Sequence, residues 1–383
     1  MSVSARGELS TCRRWVIKLG SNVLLRKDRK GVDRVVFASL VEDVVWLLEQ
    51  GCEVTIVSSG AVALGKSLIP AERYKRGDIP VLQALAALGQ PHLLRLYDEE
   101  FAHYQRLVAQ VLLSRGDLDD RKRYLNARHA LHRLQAMGVV PIINENDTVA
   151  TEELRFGDND QLAAMACGVV GGDVLVILSD VDGVFDVSHD ESGGRVFGDR
   201  IGQAGALDEY LMQIAGPSVS GVGTGGMSTK ILAARKAATF GVSTMIAPGK
   251  RQGVLRALYE GADVGTLLTV DGAKDVTGKK VWLSAGAMPV GRIICDAGAC
   301  QAVMEKGASV LPVGVLGVDG DFTEGDVIEL VNQAGERFAV GLAVYDGEST
   351  RRLVGAHTEE IMERLGYHVL DCVVHRDNLV IST

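Results

Sequence analysis

Short apolar runs alternate with longer segments of helical periodicity along the first 270 residues. Strands are predicted over residues 15–19, 53–57, 106–113, 139–143, 174–178 and 243–246. Helices are predicted over residues 35–49, 81–104, 121–137 and 229–240, the second of them interrupted at Gly89, Gln90 and Pro91. Since strands that alternate with helices build parallel sheets, the pattern predicts an α/β domain with a mostly parallel sheet sandwiched between helices.

The pattern changes near residue 276, after which short β-rich runs are separated by glycine turns. Before Gly307 only one short helix is predicted in this part, over residues 297–305. We therefore expect three segments, which are a flexible tail at residues 1–12, an α/β domain at residues 13–275 and a small mostly-β domain at residues 276–383.

Composition and charge narrow the classes of function. The 383 residues include 45 glycines, which suits many tight turns between strands and helices, whereas aromatic residues make up only 5%. The net charge is −9, and the stretch from Val281 to Thr383 carries 7 Lys and Arg against 15 Asp and Glu. Because nucleic acids and anionic bilayers attract basic surfaces, neither is expected as a partner.

The sequence also bears on the cellular location. No apolar run reaches the ~18 residues of a transmembrane helix, and the N-terminal residues lack the apolar stretch of a signal peptide. The six cysteines include no C-x-x-C pair, so we expect buried, reduced thiols rather than a metal site. Together these features predict a cytoplasmic protein.

Polar residues follow four of the predicted strands at the point where each strand ends. These residues are Lys18, Ser58, Ser59, residues 144–147, Ser179 and Asp180. Because ligands of parallel sheets bind beyond the carboxyl ends of the strands, we expect a binding site at this edge. An unpaired lysine in an apolar context is costly, so Lys18 indicates an anionic partner.

Two motif matches offer alternative phosphate sites. Residues 60–67 match the phosphate-loop pattern G-x-x-x-x-G-K-[ST], but the Ala-Val-Ala-Leu inside the match favours a helix. Residues 221–226 match G-x-G-x-x-G, but no strand precedes them and no acidic residue lies near position 246. We therefore expect Lys66 to lie on a helix and do not expect a dinucleotide-binding fingerprint.

The segment from Ser218 to Lys230 is more informative, because it contains four glycines within six residues. Such a loop can surround a polyphosphate with backbone N–H groups. A helix beginning near Lys230 and capped by Ser228 or Thr229 would then bring the lysine to a transferred phosphoryl group. A second segment at residues 156–162 opens another helix, where the acidic residues are as compatible with a structural role as with a functional one.

Together these residues resemble the glutamate 5-kinase family, a branch of the amino acid kinase superfamily. The resemblance covers nearly the whole chain, including a C-terminal part similar to a PUA domain. It rests on residues 16–23 (VIKLGSNV), 57–61 (VSSGA), 143–150 (INENDTVA), 157–160 (GDND) and 218–230. The segments 157–160 and 224–230 are specific to the family. The segment at residues 16–23 is less specific, because many superfamily members share it. The family often has Thr where Ser179 stands, so the hydroxyl is retained.

The resemblance implies phosphorylation of the side-chain carboxylate of L-glutamate to glutamyl 5-phosphate, the first step of proline biosynthesis, with ATP and Mg²⁺. It implies that Lys18 and Lys230 contact the phosphates and that Asp160 orients both lysines. It assigns glutamate to Ser59, Asp147 and Asn159. It assigns ATP to Lys18, Ser179, Asp180, Thr224, Gly225, Gly226, Met227, Ser228, Thr229 and Lys230. The magnesium ligands stay open.

This chemistry agrees with the residue types. A carboxylate acceptor is already ionised at neutral pH, so the reaction needs positioning and charge neutralisation rather than a general base. The eight histidines accordingly form no metal-binding cluster and no Ser-His-Asp arrangement.

The resemblance also implies feedback inhibition by proline, and we expect a homo-oligomer. Because an acyl phosphate hydrolyses readily, we expect hand-over to glutamyl phosphate reductase. Within the superfamily, N-acetylglutamate, aspartate, carbamate and UMP are alternative acceptors. An RNA-associated protein is an alternative of a different class, since PUA domains often bind RNA, but the acidic C-terminal part argues against it.

Overall fold

The computed structural model describes residues 3–26, 31–74, 78–149, 159–189, 195–216, 226–270 and 289–381. The chain forms two compact units, Met1–Asp275 and Val276–Thr383, each with its own hydrophobic core. In the part of the chain that the structure describes, no helix is both long and apolar enough to span a bilayer. All six cysteines are free thiols, and five of them are buried.

The first unit contains ten strands and ten α-helices among its described residues. The strands are β1 Arg14–Leu19, β2 Glu53–Ser58, β3 Val108–Leu113, β4 Val140–Glu145, β5 Val174–Ser179, β6 Phe185–His189, β7 Arg195–Arg200, β8 Gln203–Gly205, β9 Ser243–Pro248 and β10 Thr266–Thr269. The helices are α1 Ser21–Leu24, α2 Arg34–Glu49, α3 Ala61–Leu68, α4 Ile79–Ala102, α5 Arg115–Asp119, α6 Arg121–Ala136, α7 Asn159–Val170, α8 Glu209–Ala215, α9 Met227–Ala238 and α10 Val254–Tyr259.

Eight of these strands form one sheet in the order β3-β4-β2-β1-β5-β9-β10-β8. Neighbours pair in parallel except for β9 and β10, and β6 and β7 form a separate antiparallel hairpin. Every residue of β4 and β5 is buried, as expected for parallel strands covered on both faces. The predicted mostly parallel sheet is confirmed.

The N-terminal segment differs from the expected flexible tail. It contains a 3₁₀ helix, Arg6–Thr11, whose Leu9 is buried in the core. The Arg6 guanidinium donates hydrogen bonds to the carbonyls of Val264 at 2.5 Å and Gly202 at 2.6 Å. Hydrophobic periodicity does not signal this arrangement, because one arginine with five N–H donors satisfies backbone carbonyls that are distant in sequence.

α4 runs without a break through Gly89, Gln90 and Pro91, where the sequence predicts an interruption. A Cβ at position 89 would lie 1.9 Å from the carbonyl oxygen of Ala61 and 2.6 Å from the backbone nitrogen of Gly65, both in α3. The glycine therefore permits close contact between two helices rather than ending one. Pro91 lacks the N–H for one intrahelical hydrogen bond, and tertiary packing outweighs that loss.

The residues that match the phosphate-loop pattern form a helix, as expected. α3 begins at Ala61, directly after Gly60, whose φ of 114° lies in the left-handed region that favours glycine. Lys66 lies exposed in the last turn of this helix.

The second unit is a small mostly-β domain, as the sequence predicts. Its strands are β11 Gly291–Cys295, β12 Val315–Asp319, β13 Val327–Val331, β14 Arg337–Ala343 and β15 Val374–Ile381. Its α-helices, within the described residues, are α11 Ala297–Lys306, α12 Gly347–Arg352 and α13 Ile361–Leu365. The strands form one sheet in the order β12-β11-β13-β14-β15, in which β11 and β13 are parallel and the other pairs are antiparallel.

The contact between α3 and α4 yields a stability prediction. Gly89→Ala should lower the free energy of unfolding by about 2 kcal/mol, because an added methyl group must push two helix backbones apart. Gly116→Ala in α5 is the matched control, since a Cβ there meets nothing closer than Ser114 Oγ at 3.9 Å. Urea unfolding measures both variants, and equal stability of the two would contradict the close contact.

Candidate active site

The sheet brings the polar strand ends together at its carboxyl edge. Lys18, near the end of β1, lies opposite Val57 of β2 on one side and Ile177 of β5 on the other. Ser58 and Ser179 are therefore one and two positions further along the neighbouring strands. β1 lies between β2 and β5, so this edge has one half towards β2 and β4 and another half towards β5 and β9.

A buried carboxylate between two lysines forms the centre of the site. Asp160, at the start of α7, is 0% exposed. Its Oδ1 lies 2.5 Å from the Nζ of Lys18, and its Oδ2 lies 3.1 Å from the Nζ of Lys230. Both lysines are buried, at 3% and 5% exposure. Two ammonium groups held against one carboxylate concentrate cationic side chains in a protected place, which suits an anionic ligand.

The N-terminus of α9 lies beside this cluster. The helix begins at Met227 with Gly226 as its N-cap, so the expected start near Lys230 with Ser228 or Thr229 as the cap is wrong. The Thr229 hydroxyl instead donates to the Gly226 carbonyl at 2.8 Å and lies 3.2 Å from Asp160 Oδ2. The N-cap Gly226 of this 12-residue helix has no side chain to accept from the first-turn N–H groups, which suits the helix start to anion binding.

The expected ATP residues on the glycine-rich segment are described only in part. Gly226, Met227, Ser228 and Thr229 are half-buried in or before the first turn of α9. Thr224 and Gly225 lie outside the described residues.

The half of the edge towards β5 and β9 contains the end of β5. Ser179 is buried, and its hydroxyl donates to Asp180 Oδ1 at 3.3 Å. Asp180 is exposed and accepts a 3.0 Å hydrogen bond from the side-chain amide of Asn22, which follows β1. Asn22 was not among the predicted site residues, although it lies within the VIKLGSNV segment beside Lys18.

On the other side of Lys18, Asn159 brings three chain segments together. Its Nδ2 lies 2.8 Å from the Ser58 carbonyl, 3.0 Å from Ser59 Oγ and 2.8 Å from Asn144 Oδ1. Two of the three residues expected to hold the acceptor, Ser59 and Asn159, are thus in direct contact. The third, Asp147, is half-buried in the turn after β4.

α4 contributes two side chains to this half that the sequence did not single out. Gln90 Oε1 accepts a 2.7 Å hydrogen bond from Asn144 Nδ2, and the Tyr97 hydroxyl donates to Ser58 Oγ at 2.9 Å. Burial raises the pKa of Tyr97 above its usual range, so the hydroxyl keeps its proton and stays a donor. A tyrosine or glutamine inside a helical pattern carries no signal of such a role, since either is also common on helix surfaces.

The central cluster yields a prediction that needs no assay of activity. Asp160→Asn should lower the free energy of unfolding by about 3–5 kcal/mol, because two buried ammonium groups lose the carboxylate that both contact. Adding Lys230→Met should restore part of that loss by removing one of the two charges. Urea unfolding of the single and double variants measures this coupling, and additive losses would contradict it.

Comparison with known proteins identifies the family. Residues 13–247 match the amino acid kinase family, and residues 291–365 match the PUA domain. A protein of Myxococcus xanthus named glutamate 5-kinase is 43% identical over 378 residues, which cover 99% of this chain and 98% of that protein. A glutamate 5-kinase of Pseudomonas putida strain F1 is 43% identical over 376 residues, which cover 98% of this chain and 100% of that protein.

One solved structure shows a weaker likeness. It is a UMP kinase from Bacillus anthracis that is 16% identical in sequence. The superposition covers 68% of this chain and 97% of the UMP kinase chain, with a TM-score of 0.47. At that distance it has no bearing on function, whereas the full-length relatives do. The chain belongs to the amino acid kinase family and, within it, to the group of the glutamate 5-kinases.

Proposed function

We propose that the chain transfers the γ-phosphoryl group of ATP to the side-chain carboxylate of L-glutamate and forms glutamyl 5-phosphate. The observation that carries the proposal is the buried contact of Lys18 and Lys230 with Asp160 beside the start of α9. The names of the full-length relatives support glutamate as the acceptor.

The positive groups suit the charge that moves during the transfer. Negative charge spreads over the oxygens of the phosphoryl group as it leaves ADP and reaches the acceptor, so fixed cations on both sides lower the barrier. Asp160 contacts Lys18 through one oxygen and Lys230 through the other, which holds the two ammonium groups in a defined relation. Neither lysine has to reorganise when the charge develops.

The two halves of the edge suit the two substrates. We assign ATP to Ser179, Asp180 and residues 224–230, because the N–H groups at the start of α9 would suit its phosphates. We assign glutamate to Ser59, Asp147 and Asn159, with Lys18 and Lys230 at the junction. The acceptor oxygen attacks phosphorus, the bond from phosphorus to the ADP oxygen breaks, and no proton has to be removed, because the carboxylate is ionised.

The donor set fits a magnesium ion that arrives with the nucleotide. Within the described residues no three or more His, Cys, Asp or Glu side chains form a metal cage. Mg²⁺ usually keeps several waters and binds through substrate phosphates with one or two carboxylates, and the exposed Asp180 is available for that role. When bound, Mg²⁺ would neutralise part of the phosphate charge.

Several finer expectations stay predictions. They are feedback inhibition by proline, hand-over to glutamyl phosphate reductase, a homo-oligomeric state and a cytoplasmic location.

The choice of acceptor can be tested with hydroxylamine, which traps an acyl phosphate as a hydroxamate. With MgATP, L-glutamate should give product, whereas N-acetylglutamate and L-aspartate should give little. Product from N-acetylglutamate or aspartate instead of glutamate would move the chain to another branch of the family. If folded, ATP-binding protein gives no signal with any of the three, glutamate is excluded, and UMP and carbamate become the acceptors to test.

Substitutions at three lysines distinguish the proposed site from a phosphate loop at residues 60–67. Lys18→Ala and Lys230→Ala should each lower kcat by on the order of 1,000-fold, since each removes an ammonium group that would stabilise the phosphoryl group during transfer. Lys66→Ala should keep most of the activity, because Lys66 is exposed on α3. Steady-state kinetics measures the three variants, and loss of ATP binding in the Lys66 variant alone would reverse the assignment.

A further inference from the structure

α4 reaches the acceptor half of the site through a residue to which no role has been assigned. Gln90 is half-buried within the Gly-Gln-Pro segment of this helix. Its side-chain carbonyl oxygen accepts a 2.7 Å hydrogen bond from Asn144 Nδ2. Asn144 in turn accepts a hydrogen bond from Asn159 Nδ2, so three carboxamides form a chain from α4 through β4 to α7.

The directions of the Asn144 and Asn159 carboxamides are determined by backbone groups. The backbone N–H of Glu145 can only donate, and it donates to Asn144 Oδ1 at 2.9 Å. The backbone carbonyl of Ser58 can only accept, and it accepts from Asn159 Nδ2 at 2.8 Å. Asn144 must therefore turn its Nδ2 towards α4, where Gln90 presents an acceptor.

The position of Gln90 is determined by helix packing. The neighbouring Gly89 lies against the backbone of Ala61 in α3, so the two helices come closer than any side chain would permit. Tyr97, seven residues further and on the same face of α4, donates to Ser58 Oγ. α4 is thus hydrogen-bonded to Asn144 at the end of β4 and to Ser58 at the end of β2.

We propose that Gln90 is a positioning residue for the acceptor, acting through the Asn144 carboxamide on Asn159. This inference rests on the proposed function, which assigns Asn159 to the acceptor. Without the Gln90 oxygen, the buried Asn144 Nδ2 loses its acceptor, and the carboxamide is held only through its Oδ1. Asn144 then becomes a less rigid acceptor for Asn159, and the Asn159 side chain is held less precisely beside Ser59.

The test compares the same substitution at two glutamines. Gln90→Met keeps an unbranched side chain of similar length and removes the acceptor. Gln135→Met is the matched control, because Gln135 is also half-buried and donates one hydrogen bond, at 3.1 Å to Thr55 Oγ1 in β2, three residues before Ser58. In the full-length protein we measure KM for glutamate, KM for MgATP, kcat and the thermal midpoint of each.

Gln90→Met should raise the KM for glutamate by about tenfold, with the KM for MgATP and kcat changed by no more than about twofold. Gln135→Met should leave all three kinetic constants within about twofold of wild type, whatever its thermal midpoint. Equal effects of the two variants on the KM for glutamate would overturn the proposal, as would an equal rise in both KM values of Gln90→Met.

A second comparison tests whether Gln90 acts through Asn144. In the Asn144→Ala background, Gln90→Met should have no further effect on the KM for glutamate, since the amide that it orients is gone. A further rise of the same size would show that Gln90 acts by another route and would overturn the proposal. The acceptor of the wild-type protein is determined first, and KM is then measured for whichever acceptor supports turnover. Failure of glutamate as the acceptor is thereby distinguished from failure of Gln90 as a positioning residue.

Discussion

A carboxylate without solvent exposure needs neighbouring cations, and this need determines how the first unit is arranged around Asp160. Lys18 comes from the central strand β1, Asp160 from the start of α7 and Lys230 from the first turn of α9. These three elements can supply one charge cluster only if β1 ends where both helices begin. Their contacts with one another offset the cost of burying the charges, and a phosphate group bound there would meet two ammonium groups.

The acceptor half depends on a contact of a different kind. Gly89 lets α4 approach α3, and the close approach brings polar side chains of α4 to the ends of β2 and β4. One half of the site is thus built from charge and a helix N-terminus, which suit a nucleotide. The other half is built from carboxamides and hydroxyls of fixed direction, which suit a small, multiply charged acid.

Much of this arrangement was predictable from the sequence. The apolar runs located β1, β4 and β5, and the polar residues after them located the edge at which Lys18 lies. The sequence did not reveal that α4 continues through Gly89 and Pro91, because local propensity treats both residues as helix breakers and ignores a neighbouring backbone. The start of α9 was placed too late for a similar reason, since Gly226 can serve as an N-cap without a side chain.

The contacts of Arg6 bear on the order in which the chain folds during synthesis. The guanidinium donates to the Gly265 carbonyl across 259 residues of sequence and to the Gly202 carbonyl across 196. The segment around Arg6 therefore cannot dock until nearly all of the first unit has been made. Leu9, which is buried in the finished unit, stays exposed in the meantime, so nascent chains halted before that point present an undocked apolar segment to chaperones and proteases.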